Sequence, residues 1–503
     1  MHLPVVTSAQ MREIEERTIT AGVSVETLME QVGLQIARAI AELSPGPGKA
    51  IIYYGKGHNG GDALVAARHL AIAGWHIDLR PQQSDATKLA PLTAKKLNEL
   101  HALKPTQPPS LLPQPRIILD GLLGIGAAGP LHDDIRKLTR QINSLRVSSN
   151  ARVIAIDLPT GLNADTGHAD PDCVVADITI TAGYAKTGLL ADTAPAHVGR
   201  LCVAPVAQFG LHAPSDFTAE TATPVSLHAH LQRRNFDSHK NQFGHIGIIA
   251  GSPGFTGAAV LCASGALHGG AGLVTLFAPQ DIQPTLAIAA PPEVMVRPVQ
   301  TYSEVLDEKL DVIALGPGLG KAHAGALLHI IEHAPVPMVV DADGLNMLAQ
   351  NDVNLLLRCA GPRLLTPHPG EMARLFPESK NLSRLDTATQ FTARMSAAAH
   401  PITLLLKGSR TIIHQHGLPS SYNTTGNPGM GTGGMGDVLT GVTAALMGQH
   451  LAPYNAARLG AWLCGRAAEL AITESRDSEE SLSAMAVVRN LGPAFTALCA
   501  GGC

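Results

Sequence analysis

The sequence predicts two different α/β domains, each a mainly parallel sheet covered by helices. Three observations carry this. Short apolar runs alternate with helical stretches through both halves of the chain. The alternation stops around residues 207–240, where Pro214, Pro224, several His and many Ser and Thr gather. At 503 residues, 45% hydrophobic and 16% charged, the chain is too long for one ordinary core and rich enough to fill two. The expected domains are residues 1–220 and 221–503. No internal repeat links them, so they are not a duplication.

Residues 8–43 read as two helices. In the second, Ser24 is a good N-cap, and Val25, Leu28, Met29, Val32, Ile36 and Ile40 recur at helical spacing. Six strands are then predicted: Ala50–Tyr54, His76–Arg80, Arg116–Leu119, Val153–Ile156, Asp177–Thr181 and Leu201–Pro205. A second series follows at Ile246–Ala250, Leu273–Ala278, Val312–Leu315, Met338–Val340, Arg363–Leu365 and Ile402–Leu406. Late helices are predicted around Asp437–Met447 and Asn455–Ile472.

Composition narrows the function. Net charge is −4 with no long basic run, which argues against nucleic acid as a partner. The seven cysteines form no Cys-x-x-Cys pair and read as incidental thiols in a reducing cytoplasm. Met1–Gln10 lacks a basic, then apolar, leader, and the apolar stretches are too broken for a membrane span.

The strongest local signal of the first half is Gly55-Lys56-Gly57-His58-Asn59-Gly60-Gly61-Asp62, after a strand and before a helix. Such glycines free backbone N–H groups to face an anion, and the helix start adds its positive end. Two further strand ends carry carboxylates: Asp120 in Leu119-Asp120-Gly121-Leu122-Leu123-Gly124-Ile125-Gly126, and Asp157 in Asp157-Leu158-Pro159-Thr160-Gly161. Either acid alone reads equally well as a turn cap. Together with the glycine loop they fall on one rim of a parallel sheet, where ligands bind. Oxygens from Asn59, Asp120 and Thr160 would suit a hard cation.

The second half holds the most specific motif, Asn423-Thr424-Thr425-Gly426-Asn427-Pro428-Gly429-Met430-Gly431-Thr432-Gly433-Gly434-Met435-Gly436-Asp437, followed by a helix. Its glycines make an anion hole from backbone N–H groups. Asp437 is placed to accept a proton from a hydroxyl attacking a phosphoryl group. Lys407-Gly408-Ser409-Arg410-Thr411, between two predicted strands, could hold nucleotide phosphates. Gly316-Pro317-Gly318-Leu319-Gly320, Asp341-Ala342-Asp343-Gly344-Leu345-Asn346 and Thr366-Pro367-His368-Pro369-Gly370-Glu371 each follow a strand.

The series GKGHNGGD, DGLLGIG and DLPTG resembles the NAD(P)H-hydrate epimerase domain, which implies a Rossmann-like, three-layer fold. The family usually has Asn, Gly and Ser where this chain has His58, Ala63 and Thr160; threonine keeps the hydroxyl. The resemblance implies potassium at Asn59, Asp120 and Thr160. It implies that His58, Asn59, Gly60, Gly61, Asp62, Gly124, Ile125, Gly126, Ala127, Ala128, Gly129, Pro130 and Asp157 line the hydrated dinucleotide. Inverting the C6 hemiaminal needs acid/base help at the oxygen, and Asp120 is the first candidate.

The second-half motifs, with His239-Lys240, Gly251-Ser252-Pro253-Gly254-Phe255-Thr256-Gly257-Ala258 and Pro292-Glu293-Val294-Met295-Val296, resemble the ribokinase-like superfamily and, within it, the NAD(P)H-hydrate dehydratases. The resemblance implies that Ala258, Gly318, His368 and Asp437 contact the substrate. Lys407, Gly408, Ser409, Arg410, Thr411 and Gly436 would contact the adenine nucleotide. Met435 stands where the family commonly has a smaller residue. The implied chemistry is ADP-dependent: phosphoryl transfer to the C6 hydroxyl, then loss of phosphate, leaving AMP, with magnesium accompanying the nucleotide. NADHX, NADPHX, ADP and AMP are thus the implied ligands, and a homo-oligomer the implied assembly. Two other readings stay open. One is a kinase of a small alcohol, such as a hydroxymethylpyrimidine, fused to a Rossmann-like module. The other makes the first half a binding module without catalysis.

Overall fold

The computed structural model describes residues 2–83, 85–103, 114–127, 129–475 and 477–501. They form two compact units, Leu3–Phe217 and Thr218–Gly501, the latter including His2. Both belong to the α/β class.

The first unit opens with two helices, α1 (Ser8–Thr20) and α2 (Val25–Leu43). Each starts on a side-chain cap: Gln10 N donates to Thr7 Oγ1 at 3.2 Å, and Thr27 N to Ser24 Oγ at 3.0 Å. These bonds satisfy helix N–H groups that have no partner within the helix. The strands are β1 (Lys49–Tyr54), β2 (His76–Pro81), β3 (Ile117–Gly121), β4 (Arg152–Ile156), β5 (Ile178–Ala182) and β6 (Arg200–Ala204). They join as β2-β1-β3-β4-β5-β6, every pair parallel. Helices α3 (His58–Ile72), α4 (Pro91–His101) and α5 (Asp133–Ser149) make crossovers between them. The central strands are buried on both faces, so they read as unbroken apolar runs.

Chain order fixes where a ligand fits. From β1 the chain steps outward to β2, then returns to the other side of β1 to lay down β3. The crossovers leave the sheet in opposite directions there, opening a crevice beyond the strand ends. That crevice lies between the loop after β1 and the loop after β3.

The second unit repeats this logic on a larger sheet. Its strands are β7 (Ala219–Ala222), β8 (His245–Ile249), β9 (Leu273–Pro279), β10 (Met295–Val299), β11 (Val312–Leu315), β12 (Met338–Val340), β13 (Arg363–Leu365), β14 (Ile402–Leu406), β15 (Ile412–Gln415) and β16 (Ser420–Asn423). Their order is β10-β9-β8-β11-β12-β13-β14-β15-β16-β7. All pairs are parallel except β14–β15 and β15–β16. The direction reverses between β8 and β11, so the crevice opens there. The Met435–Gly448 and Pro453–Thr473 helices pack into one apolar core with the central strands.

One strand lies within the stretch 207–240: β7 pairs in parallel with β16. Its sequence, Ala-Glu-Thr-Ala, carries no apolar run, and its buried Glu220 is held by Arg458 at 2.6 Å. Cys202 is disulfide-bonded rather than a thiol, whereas Cys173, Cys262, Cys359 and Cys464 are buried and free. Among the described residues, no helix is long and apolar enough to cross a membrane.

Candidate active sites

In the first unit, the loop after β1 runs straight into α3. A side chain at Gly60 would bring its Cβ within 2.0 Å of the Gly55 carbonyl oxygen. The missing side chain therefore lets the helix start fold back onto the loop. The crevice is a cavity of about 550 Å³. His58, Asn59, Asp62, Gly124, Ile125, Gly126, Ala127 and Asp157 line it. Gly60, Gly61, Gly129 and Pro130 are not among the lining residues; Gly61 instead packs against Met29, whose Cε would lie 2.4 Å from an added Cβ. Ala128 lies outside the described residues.

Asp120 is fully buried and not among the lining residues. Its carboxylate accepts from Thr160 N at 2.8 Å, Thr160 Oγ1 at 2.7 Å and Leu122 N at 3.3 Å. Burial pushes its pKa up to about 6, and the Thr160 and Leu122 donors oppose that rise. The end of β3 turns the Asp120 side chain toward the Thr160 loop. Its surroundings fit a cation. Asn59 Nδ2 is buried without a hydrogen-bond partner. Rotating that amide presents an oxygen at the same position. The Asn59 carbonyl oxygen lies 3.3 Å from where a Cβ on Gly121 would stand, one residue beyond Asp120. The donors gathered here are hard oxygens, which suit potassium.

Residues that no motif singled out also reach the cavity. Arg12 and Glu15 come from α1, Met29 from α2, and Lys186 from the segment after β5. Lys186 Nζ lies 2.5 Å from Asp157 Oδ1. These residues stand alone in sequence, far from any glycine loop, so only the fold reveals them.

In the second unit the motifs converge on the ends of β8, β11, β12, β13 and β14. Gly318 adopts φ +62, and an added Cβ would meet Ala258 Cβ at 2.9 Å. Ser252 Oγ donates to the Gly318 carbonyl at 2.7 Å and ties the two loops together. His368 caps its helix: Gly370 N donates to its Nδ1 at 3.0 Å, so the ring proton sits on Nε2. The ring is half exposed.

Beyond β14, Lys407 is clasped by Asp341 at 2.8 Å and faces Glu371 at 3.9 Å. Burial works against the ammonium, but Asp341, Glu371 and Asp437 outweigh it and hold its pKa above the ordinary value. Arg384 supports the loop, donating to the Leu406 and Lys407 carbonyls at 3.1 and 3.2 Å. The glycine run ends at Gly434, φ +90, which caps the Met435–Gly448 helix. At Gly436 a Cβ would stand 3.3 Å from Lys407 Nζ and 3.5 Å from Asp341 Oδ2. Asp437 follows in the first helical turn. Burial, reinforced by Asp341 and opposed by Lys407, raises its pKa to about 6. Sequence quoted Asp341 within its motif but gave it no role; it is the residue that joins Lys407 to the glycine turn.

Each unit is thus an α/β module whose strand order reverses at a switch point, the place where such sheets bind ligands. The second also brings an acid, a lysine and a helix start together, as enzymes acting on phosphorylated nucleotides do. Comparison with known proteins names the pairing. Residues 25–188 match the family model described as YjeF-related protein N-terminus, and residues 246–487 match that of NAD(P)H-hydrate dehydratase. The bifunctional NAD(P)H-hydrate repair enzyme of Moorella thermoacetica is 35% identical over 92% of this chain and 92% of its own. That of Escherichia coli is 35% identical over 89% of this chain and 86% of its own. The ADP/ATP-dependent NAD(P)H-hydrate dehydratase from Bacillus subtilis, crystallised with ATP and Mg2+, covers 55% of this chain and 97% of its own, at 28% identity and TM-score 0.47. The chain belongs to the family of bifunctional NAD(P)H-hydrate repair enzymes.

Proposed function

We propose that the two units repair hydrated NADH and NADPH in sequence. The first interconverts the C6 epimers of NADHX and NADPHX. The second dehydrates the S epimer with ADP, giving NADH or NADPH, AMP and phosphate. The placement of Asp437 carries this reading: it lies in the first turn of a helix beside the Asp341–Lys407 pair, next to backbone amides left open by glycine.

Asp437 takes the proton of the C6 hydroxyl as its oxygen attacks the β-phosphorus of ADP. The amides of Gly434–Gly436 meet the charge on the moving phosphoryl group. AMP departs, held at Lys407, Gly408, Ser409, Arg410, Thr411 and Gly436. Phosphate then leaves C6 as the ring nitrogen supplies its lone pair, and loss of the C5 proton restores the dihydropyridine. The conversion of a poor leaving group, hydroxide, into phosphate is what the nucleotide supplies. Ala258, Gly318 and His368 hold the substrate. Among the described residues no group of three or more His, Cys, Asp or Glu could hold a metal ion. Magnesium would accompany the nucleotide phosphates.

In the first unit, Asn59, Asp120 and Thr160 hold potassium, and His58, Asn59, Asp62, Gly124–Ala127 and Asp157 line the dinucleotide. Bound potassium would supply a fixed positive charge behind the cavity wall. The full chain is to be given both epimers of NADHX with ADP, magnesium and potassium, and NADH absorbance followed. Complete recovery is expected. Recovery that stops at the S epimer would sink the epimerase assignment; no recovery would sink the dehydratase.

A further inference from the structure

The cavity of the first unit holds more carboxyls than its motifs explain. Glu15, on α1, lines it together with Asp62 and Asp157. Lys186, a buried ammonium 1% exposed, lines it as well. Its Nζ reaches Asp157 Oδ1 at 2.5 Å, Thr181 Oγ1 at 2.9 Å and the Ala182 carbonyl at 3.4 Å.

Asp157 is held in an unusual way. It stands at the end of β4 with φ +67, a left-handed conformation that a non-glycine residue keeps only when its surroundings enforce it. Oδ1 is taken by Lys186 and by Thr181 at 3.2 Å. Oδ2 faces Gly124, 3.4 Å from where a Cβ would stand, and so borders the cavity. Glu15 has no hydrogen bond or ion pair to any described residue. Burial raises its pKa against the pull of Lys186 and Arg12, with the Asp157 charge adding to the rise. The other charged or titratable groups lining the cavity are Arg12 from α1, Lys56 and His58 from the glycine loop and helix start, and Asp62 from α3.

We propose that epimerisation runs through two carboxyls, Glu15 and Asp157, one for each face of the reacting carbon, with Lys186 as the positioning residue that fixes Asp157. The proposal rests on the epimerase reading of this unit. Protonated Glu15 gives its proton to the C6 hydroxyl as the C6–O bond breaks. The oxygen leaves as water with the bonding pair, and the ring nitrogen lone pair forms a C=N⁺ bond. Water then adds to C6 from the opposite face, and Asp157 takes the proton it sheds. One proton leaves Glu15 and one arrives at Asp157, so the reverse direction exchanges their roles.

The test uses the full chain and the R epimer, freed of S by prior exhaustive dehydration, with the two epimers separated chromatographically. Dehydration of the S epimer by the second unit serves as the control for folding and concentration. Lys186→Met is expected to lower epimerase kcat about 100-fold with KM within about threefold, and Lys186→Arg to recover most of it. Glu15→Gln is expected to lower kcat by a similar factor. Wild-type activity should fall as pH rises through the elevated Glu15 pKa, and Glu15→Gln should lose that limb. Wild-type rates in Glu15→Gln or Lys186→Met, or a Lys186→Met loss confined to KM, would overturn the proposal. A wild-type chain that interconverts the epimers no faster than buffer would instead overturn the epimerase reading, and the proposal with it.

Discussion

Lys407 Nζ lies 2.8 Å from Asp341 Oδ1, and the Thr440 hydroxyl closes the other Asp341 oxygen at 2.9 Å. Asp341 is 1% exposed, so its charge is out of water and depends on these partners. Lys407→Met strands a buried carboxylate and should cost about 3 kcal/mol of stability. The same change should weaken ADP binding. Melting and calorimetric titration of ADP measure the two losses separately. Asp341→Asn with Lys407 intact should lower ADP affinity less, since the ammonium remains.

Asp437 gives a signed pH dependence. Its pKa is raised to about 6, and the proposed base must be ionised. Dehydratase kcat/KM should therefore fall as pH drops below about 6, and Asp437→Asn should lower kcat by about 100-fold or more. Stability moves the other way. A carboxylate whose folded pKa lies above its unfolded value penalises the fold once ionised. Asp437→Asn should melt above wild type at pH 8, and the gap should narrow as pH falls through about 6 and close near about pH 3, where both states of the aspartate are largely protonated. An unchanged gap at the two pH values would refute the assigned burial of the charge.

Potassium should show itself without any assay of turnover. If Asn59, Asp120 and Thr160 hold the ion, KCl should raise the melting temperature of the first unit relative to choline chloride. Thr160→Ala should blunt that rise. Burial raises Asp120 to about 6, so protons should compete with the ion there and weaken the potassium effect as pH falls through that range. A Thr160→Ala chain with the full potassium response would remove Thr160 from the set.

Isotope tracing checks the chemistry at C6. If water leaves and returns during epimerisation, incubating NADHX with the chain in ¹⁸O-labelled water should label the C6 hydroxyl at the rate of epimer exchange. Interconversion without label would require ring opening or another route that keeps the oxygen.

Most of the frame could be read from residues. The strands Val312–Leu315, Met338–Val340, Arg363–Leu365 and Ile402–Leu406 stand at their expected bounds. Each is buried on both faces and, Arg363 and Thr403 apart, spelled in apolar letters. β7 was missed because its burial is polar, with Glu220 and Thr221 inside. The glycine loops were legible because close backbone approach leaves glycine as the trace. Lys186 and Glu15 were not. A lone lysine and a lone glutamate carry no local pattern, and only the fold brings both to the cavity that Asp157 borders. Asp120 shows the converse: the motif marked it, but which way its carboxylate turned was decided by Thr160, forty residues on.

The strand β7 also decides where the chain can be cut. It is an outer strand of the second sheet and covers the edge of β16. A gene fragment beginning after Ala222 would expose that edge to pairing with other molecules, a known route to aggregation. Beginning at or before Thr218 keeps the border closed. A laboratory wishing to express the rear enzyme alone should therefore place its start codon upstream of residues that look, on paper, like mere spacer.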